Sequence, residues 1–290
     1  PFAAFNSLYT INSPEYGEAM RFVSFNVNGI RARLHQVAAV RERHNPDVVA
    51  IQEIKVADEA FPLEAVKATG FEHVHFYGQK GHYGVALLSR TAPTDVQYGI
   101  PWGPADQQRR FISAAYECNG LPVRVINGYF PQGERRDHPE KFPGKARFYQ
   151  DVNRYLRDCC DPGEHLIVAG DMNVAPDDED IGIGDDNRKR WLRDGKASFL
   201  PEERAWLQEV VDWGLHDSYA AWIGSGPRQY SWFDYRSRGF ERDPKRGLRI
   251  DLILTSHSLN GHIENCGVDY DIRGQEKPSD HCPVWCNFTL

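Results

Sequence analysis

His165–Asn173 reads HLIVAGDMN. Leu166, Ile167, Val168 and Ala169 form a short apolar run, the pattern of a strand buried on both faces. Gly170 ends the run, and Asp171 and Asn173 follow at once. In α/β proteins, polar groups at the tip of a buried strand are held rigidly and face a cleft, where the chemistry sits. Taken alone, the same residues also fit a plain strand followed by an Asp/Asn turn. Several other runs stop at or cross a polar residue in the same way. Arg21–Asn28 reads as a strand carrying Asn26 and Asn28, and Asp47–Glu53 as a strand tipped by Gln52 and Glu53. Val123–Phe130 carries Tyr129, Arg249–Thr255 carries Asp251, and Asp280 and His281 stand just before a strand over Pro283–Phe288.

Around these lie further strands at Phe71–Tyr77, Gly84–Ser89, Phe111–Tyr116 and Ser231–Tyr235, separated by Gly/Pro/Asp turns. So strand-rich a block implies antiparallel pairing in place of a purely parallel wind. Ile30, Leu34, Val37 and Arg41 recur at helical spacing before Pro46. Helices are also expected over Leu63–Ala68 after Pro62, through Phe148, Val152 and Cys159, and in a short basic stretch within Ala175–Gly195. Pro201 opens another, with Trp206, Val210 and Trp213 facing inward and early acids suiting its N-terminal dipole. Residues 1–19 show no period and are expected to be a disordered arm or an added leader, leaving residues 20–290 as one domain.

Composition sets the limits. The 290 residues are 41% hydrophobic and 26% charged, enough for one large core. No apolar run approaches the roughly 20 residues that span a bilayer, and no basic-plus-apolar secretory signal is visible. The six cysteines show neither C-x-x-C nor zinc spacing, which suits buried thiols in a reducing cytosol. Net charge is −7, but its distribution is uneven. Arg188, Lys189, Arg190, Arg193 and Lys196 crowd one stretch around Trp191. Arg236, Arg238, Arg242, Lys245, Arg246 and Arg249 crowd another, beside Trp232, Phe233, Tyr235 and Phe240. Basic residues interleaved with aromatics suit a phosphate backbone and its sugars or bases; a solvated face is the plain alternative for each.

The tip residues are carboxylates, carboxamides, a phenol and an imidazole. Oxygen ligands without thiolate favour Mg²⁺, with Mn²⁺ able to substitute, over Zn²⁺. No G-x-S-x-G and no His-flanked cysteine offers a protein nucleophile. Phosphoryl transfer to water is the chemistry such a set can serve.

The ordered segments FVSFNVNGIRAR (Phe22–Arg33), IQEIK (Ile51–Lys55), GQKGHYGVALL (Gly78–Leu88), INGYFPQGE (Ile126–Glu134), GDMN (Gly170–Asn173), DIGIGDDNRKRWLR (Asp180–Arg193), SWFDYR (Ser231–Arg236), GLRIDL (Gly247–Leu252) and KPSDHCPV (Lys277–Val284) resemble the exodeoxyribonuclease III family. These are bacterial class II abasic-site endonucleases, within the endonuclease/exonuclease/phosphatase superfamily that includes pancreatic deoxyribonuclease I. The resemblance runs from Met20 to the C-terminus. It implies an α/β fold of four layers, two packed mixed sheets flanked by helices. It implies Glu53 as the main metal ligand, with Asn26, Asn28 and Asp280 close by. It implies Asp171 on the attacking water, Asn173 on a phosphate oxygen or a second metal shared with Asp171, Tyr129 beside the scissile phosphate, and an Asp251–His281 pair with His281 on the phosphate. Trp232, Phe233, Leu248 and Ile250 match the positions lining a pocket for a sugar without a base, and Arg188, Lys189 and Arg190 fall in a DNA-binding segment. Ile54 and Cys282 depart from the usual Thr and Ala, outside the expected catalytic set.

The expected protein is thus a Mg²⁺-dependent monomeric nuclease in the bacterial cytoplasm, associated with the nucleoid. It would cut double-stranded DNA 5′ to abasic sites and clean or degrade 3′ ends, with no membrane partner. Two other readings stay open on sequence: a phosphatase of the same fold acting on lipid or small-molecule phosphates, and a damaged-DNA binding module that does not cut. The basic segments weigh against the first and the complete acidic set against the second.

Overall fold

The computed structural model describes residues 19–290. The described residues form twelve strands: β1 (Ala19–Asn26), β2 (Val48–Gln52), β3 (His73–Tyr77), β4 (Val85–Ser89), β5 (Asp95–Tyr98), β6 (Phe111–Cys118), β7 (Leu121–Tyr129), β8 (His165–Asp171), β9 (Leu215–Asp217), β10 (Asp251–Ser256), β11 (Ile263–Val268) and β12 (Val284–Thr289). They form two six-stranded sheets, ordered β11-β12-β1-β2-β4-β3 and β5-β6-β7-β8-β10-β9. Each sheet holds one parallel pair near its middle, β1–β2 and β7–β8; every other neighbour is antiparallel.

Strand β8 shows why its sequence does not alternate. Ile167 and Ala169 point into a cluster shared with Phe22, Ala50 and Leu87 of the first sheet and Ile112, Val125 and Ile253 of the second. Leu166 and Val168 point the other way, onto Tyr149, Val152 and Leu156 of α3 (Lys141–Cys159) and Leu207 and Val210 of α5 (Pro201–Asp212). The first sheet repeats the arrangement: Val23, Val49 and Leu88 pack outward on Val37 and Val40 of α1 (Leu34–His44) and Val66 of α2 (Leu63–Lys67). Helix, sheet, sheet and helix give the four layers expected. Each fully buried Val, Leu or Ile contributes roughly 1.5–3 kcal/mol by leaving water. The short basic helix is α4 (Asp185–Arg193).

A polar bolt joins the sheets. Gln52 donates to Asn127 at 2.8 Å and to Ser24 at 3.0 Å, and Asn127 donates to the Ile51 and Ala86 carbonyls at 2.9 Å. Gly170 marks another close approach: its φ is +142°, and a Cβ there would overlap the Gly128 carbonyl oxygen.

Several expectations need correction. Ser231–Tyr235 is not a strand; only Trp232 makes isolated bridges, to Leu248 and His281. Strands β5, β9 and β11 were not anticipated. Ile30 belongs to a separate 3-10 turn, and α1 starts at Leu34. The inner face of α5 is Glu203, Leu207 and Val210, with Trp206 and Trp213 half-buried at its flanks. Glu203 is tolerated there because Lys145 meets it at 2.5 Å. Ala19, assigned above to the leader, pairs with Thr289 in β1; residues 1–18 lie outside the described residues. All six cysteines are free, with Cys159 exposed and Cys160 half-buried, so only four are buried thiols. Among the described residues no helix is long and apolar enough to cross a membrane.

Candidate active site

The topology gathers the tips. In a parallel pair both strands end on the same side, so β1 with β2, and β7 with β8, deliver Asn26, Glu53, Tyr129 and Asp171 to one end of the sandwich. An antiparallel neighbour starts where these end: Asp251 opens β10 directly opposite Asp171, and His281 precedes β12. Asn28, Glu53, Lys55 and Asn173 all have φ between 46° and 59°, so the chain turns sharply as each strand ends. Such backbone costs on the order of 1–3 kcal/mol for a non-glycine residue and persists where surrounding contacts over-determine it.

The side chains form one connected set. The Asn26 amide donates to Glu53 at 2.9 Å and to Asp171 at 3.0 Å. The Asn28 amide donates to Asp280 at 2.8 Å, and its backbone N–H to the Asn26 oxygen at 3.0 Å. His281 Nδ1 donates to Asp251 at 2.8 Å, and its Nε2 faces Asp171 at 3.7 Å. Asp171 also accepts the Asn173 backbone N–H at 3.0 Å, while the Asn173 amide is tied to the Phe130 carbonyl at 2.9 Å. Asn26, Glu53, Asp171, Asp251 and His281 are therefore brought together, with Asn28 and Asn173 one hydrogen bond away and Asp280 reached through Asn28.

The electrostatics follow from burial and neighbours. Burial, with repulsion from Asp251 and Glu53 and against the pull of His281, pushes Asp171 up to about 7. Burial alone would lower His281, but the Asp251 and then Asp171 carboxylates outweigh it and push the imidazole up to about 10. Burial, then Glu53 and Asp171, carry the Tyr129 phenol well above the ordinary tyrosine range, so it stays a donor.

The donor set fits a hard divalent cation. Glu53 and Asp171 share the single Asn26 amide, and Lys55 forms an ion pair with Glu53 at 2.8 Å. Crowded carboxylates of this kind are offset by a metal bound through oxygen. Asp171, Asp251 and His281 also offer ligand atoms within 4.8 Å of one another. His281 Nδ1 is committed to Asp251, so within that group the imidazole has only Nε2 to offer.

Beside the set lies a cavity of about 210 Å³, with Trp232, Arg190, Trp191, Lys196, Arg242 and Arg246 in its wall. The Trp232 indole donates to Asp280 at 3.0 Å and so belongs to both cavity and site. Leu248 and Ile250 are buried in one cluster with Trp232, Ile183 and Phe199. Phe233 departs from the expected pocket. Successive residues of extended chain point to opposite sides, and its ring, 0% exposed, packs on Phe240 and Tyr270 in the core between the sheets. The basic segments also divide. Arg249 is buried and paired with Asp180 at 2.7 Å and Asp217 at 2.8 Å, so it belongs to no surface patch. Lys245 folds onto the Phe240 ring at 3.9 Å. Arg188 is engaged by Asp178, and Lys189 is exposed outside the cavity wall. Trp191 stacks on Phe199 at 5.5 Å and carries Lys196 over its ring at 3.5 Å, so its π surface is committed to packing.

Four supporting residues escaped the sequence reading. Lys55 bridges Glu53 and Asn28. Buried Lys145 donates to the Asn173 carbonyl at 2.8 Å. Arg110, with Tyr83, packs against Tyr129. For Lys55 and Tyr83 a signal existed, their places in IQEIK and GQKGHYGVALL (Gly78–Leu88); Arg110 and Lys145 carry none that separates them from surface residues.

Comparison with known proteins agrees with this geometry. The model of the endonuclease/exonuclease/phosphatase family matches residues 23–281. Exodeoxyribonuclease III of Haemophilus influenzae is 53% identical over 269 residues, covering 93% of this chain and all of that protein. Among solved structures, the Neisseria 3′ phosphatase NExo bound to a product DNA hairpin superposes with a TM-score of 0.84 at 37% identity, and an AP endonuclease from Archaeoglobus fulgidus with 0.84 at 33%; each covers 93% of this chain and all of its own. The chain therefore belongs to the endonuclease/exonuclease/phosphatase family and resembles its metal-dependent exodeoxyribonuclease III-type nucleases.

Proposed function

We propose that this protein is a Mg²⁺-dependent DNA repair nuclease that cuts duplex DNA 5′ to abasic sites and removes blocking groups and nucleotides from 3′ ends. One observation carries the reading: Asn26 ties Glu53 to Asp171 by hydrogen bonds, His281 bonds Asp251 and faces Asp171 at 3.7 Å, and all five meet at one end of the sandwich, beside a cavity walled by Arg190, Arg242, Arg246 and Trp232. Glu53, with Asp280 and the amide oxygens of Asn26 and Asn28, would hold the metal. Mg²⁺, when bound, supplies positive charge to a non-bridging phosphate oxygen.

The remaining work falls to side chains. Asp171, buried and raised toward neutrality, accepts the proton of the attacking water. His281, kept protonated by Asp251, presents Nε2 as a cationic donor to the phosphate. Asn173 and Tyr129 hold phosphate oxygens as charge builds on them. Trp232 closes the cavity to a sugar that bears a base, while Arg190, Arg242 and Arg246 receive the flanking phosphates.

The same reading makes residues 20–290, with Ala19, one catalytic domain, acting as a monomer in the cytoplasm beside the nucleoid and on no membrane. The test is a labelled duplex with one abasic site, incubated with the protein and Mg²⁺. A nick 5′ to the lesion with a 3′-hydroxyl, abolished by EDTA and restored by Mg²⁺, is expected. Full cutting in EDTA, or release of phosphate from inositol phosphates in preference to DNA cleavage, would overturn the reading.

A further inference from the structure

Arg110 has no role in the set described so far, yet it is 7% exposed and lies against the active site. It precedes β6, and the pairing of β6 with β7 brings it to Tyr129. Its contacts with Tyr129 are of three kinds. The Tyr129 N–H donates to the Arg110 carbonyl at 2.8 Å, and the guanidinium donates back to the Tyr129 carbonyl at 3.0 Å. The guanidinium carbon also stands 4.7 Å from the Tyr129 ring centroid. Tyr83 takes the same cation at 4.1 Å, from a turn with φ +64°. Gln108 accepts from Arg110 Nε at 2.6 Å and donates to the Tyr83 hydroxyl at 3.2 Å, tying the rim together.

A buried cation in contact with two phenol rings is expensive unless its charge is met, and the ring faces and carbonyl meet it here. A planar fork can hold backbone and ring at once; an ammonium cannot. Tyr129 is thereby fixed at its main chain and at its ring, with its hydroxyl directed to the Glu53 side.

We propose that Arg110 is a positioning residue for the reaction: it holds the Tyr129 hydroxyl where the phosphate charge develops and couples that hydroxyl to the Tyr83 rim. This rests on the proposed nuclease reading. Arg110→Lys keeps the positive charge that Asp171 feels and removes the planar fork, so the effect read here is the one that passes through Tyr129.

The test is a double-mutant cycle of Arg110→Lys with Tyr129→Phe, read as single-turnover cleavage of an abasic duplex and as DNA affinity. Misplacing a reacting or positioning group by about 1 Å can cost about 100-fold, so Arg110→Lys is expected to slow cleavage by about 10- to 100-fold, with affinity within about twofold of wild type. In the Tyr129→Phe background, the same change is expected to cost less than about threefold. Equal losses in both backgrounds, a loss confined to affinity, or an unchanged rate would each overturn the proposal. If Arg110→Lys fails to fold, Tyr83→Leu, which removes the outer ring from a half-buried rim position, takes its place with a smaller loss that Tyr129→Phe again erases. Spectra of protein with ¹³C-labelled tyrosine rings give a reading independent of cutting. Arg110→Lys should move the Tyr129 ring signals, and unmoved signals in a folded variant would overturn the proposal. A wild-type protein that cut no DNA would sink the functional reading, while the ring spectra would still decide on Arg110.

Discussion

Trp232 joins two functions that substitution can separate. Its indole N–H donates to Asp280 at 3.0 Å, and its ring forms the wall of the cavity beside the site. Trp232→Phe removes the donor and keeps most of the wall. A hydrogen bond to a charged group contributes roughly 1.5–3 kcal/mol. Asp280 is half-buried and still held by Asn28 at 2.8 Å, so the lower figure applies. That corresponds to a rate loss of about tenfold on abasic and intact duplexes alike. Trp232→Ala removes the wall as well. Sparing an abasic sugar the unstacking of a base favours it by a few kcal/mol, and a wall that excludes base-bearing sugars adds to that preference. Without the wall, discrimination should fall by roughly a further 10- to 100-fold while cleavage of an unhindered phosphodiester persists. The assay is single-turnover cleavage of matched abasic and intact duplexes by both variants, with thermal melting to confirm the fold. Equal discrimination by wild type and a folded Trp232→Ala would refute the wall, and a Trp232→Phe that lost as much selectivity as Trp232→Ala would show that the bond to Asp280, not the surface, carries it.

Neutralising Arg190, Arg242 and Arg246 should flatten the salt dependence of DNA affinity by about one unit of log–log slope for each phosphate no longer neutralised; an unchanged slope would place the DNA elsewhere. Gly170→Ala should destabilise the fold by at least about 3 kcal/mol, because a Cβ meets the Gly128 carbonyl at a φ that L-residues avoid; a urea midpoint equal to wild type would contradict this. Asp269 gives a pH signature. Burial alone would raise it, but His44 at 2.7 Å, the Ile272 amide at 2.9 Å and Arg43 at 2.9 Å hold it below the usual carboxylate range. A depressed carboxyl stabilises above its unfolded pKa, and that contribution is lost as pH falls through the folded value. The stability gap between wild type and Asp269→Asn should therefore be full near neutrality and shrink as the pH falls below about 4; a gap that widens in acid would reverse the sign.

Much of the fold could be read from the runs that had to be buried on both faces. HLIVAGD and VVAIQ declare themselves because each side of the strand meets a packed layer. Strand β5 is half-exposed and four residues long, and β9 has three, too short for a period to show. Asn26, Glu53, Asp171 and His281 stood out as polar interruptions of apolar runs. Lys145 and Arg110 did not, since their burial depends on Glu203 and on two tyrosines brought by other elements. Arg249 misled for the same reason: in sequence it is one more cation in a basic stretch, and only the approach of Asp180 and Asp217 turns it inward.

Everything proposed for the reaction turns on the carboxylate at the end of β8 handling the proton of the attacking water. Asp171→Asn keeps the shape and removes the acceptor. With an abasic duplex in excess Mg²⁺, single-turnover cleavage should fall by about 10²- to 10⁴-fold while DNA affinity stays near wild type. A single-turnover rate equal to wild type in a folded Asp171→Asn protein would contradict that role.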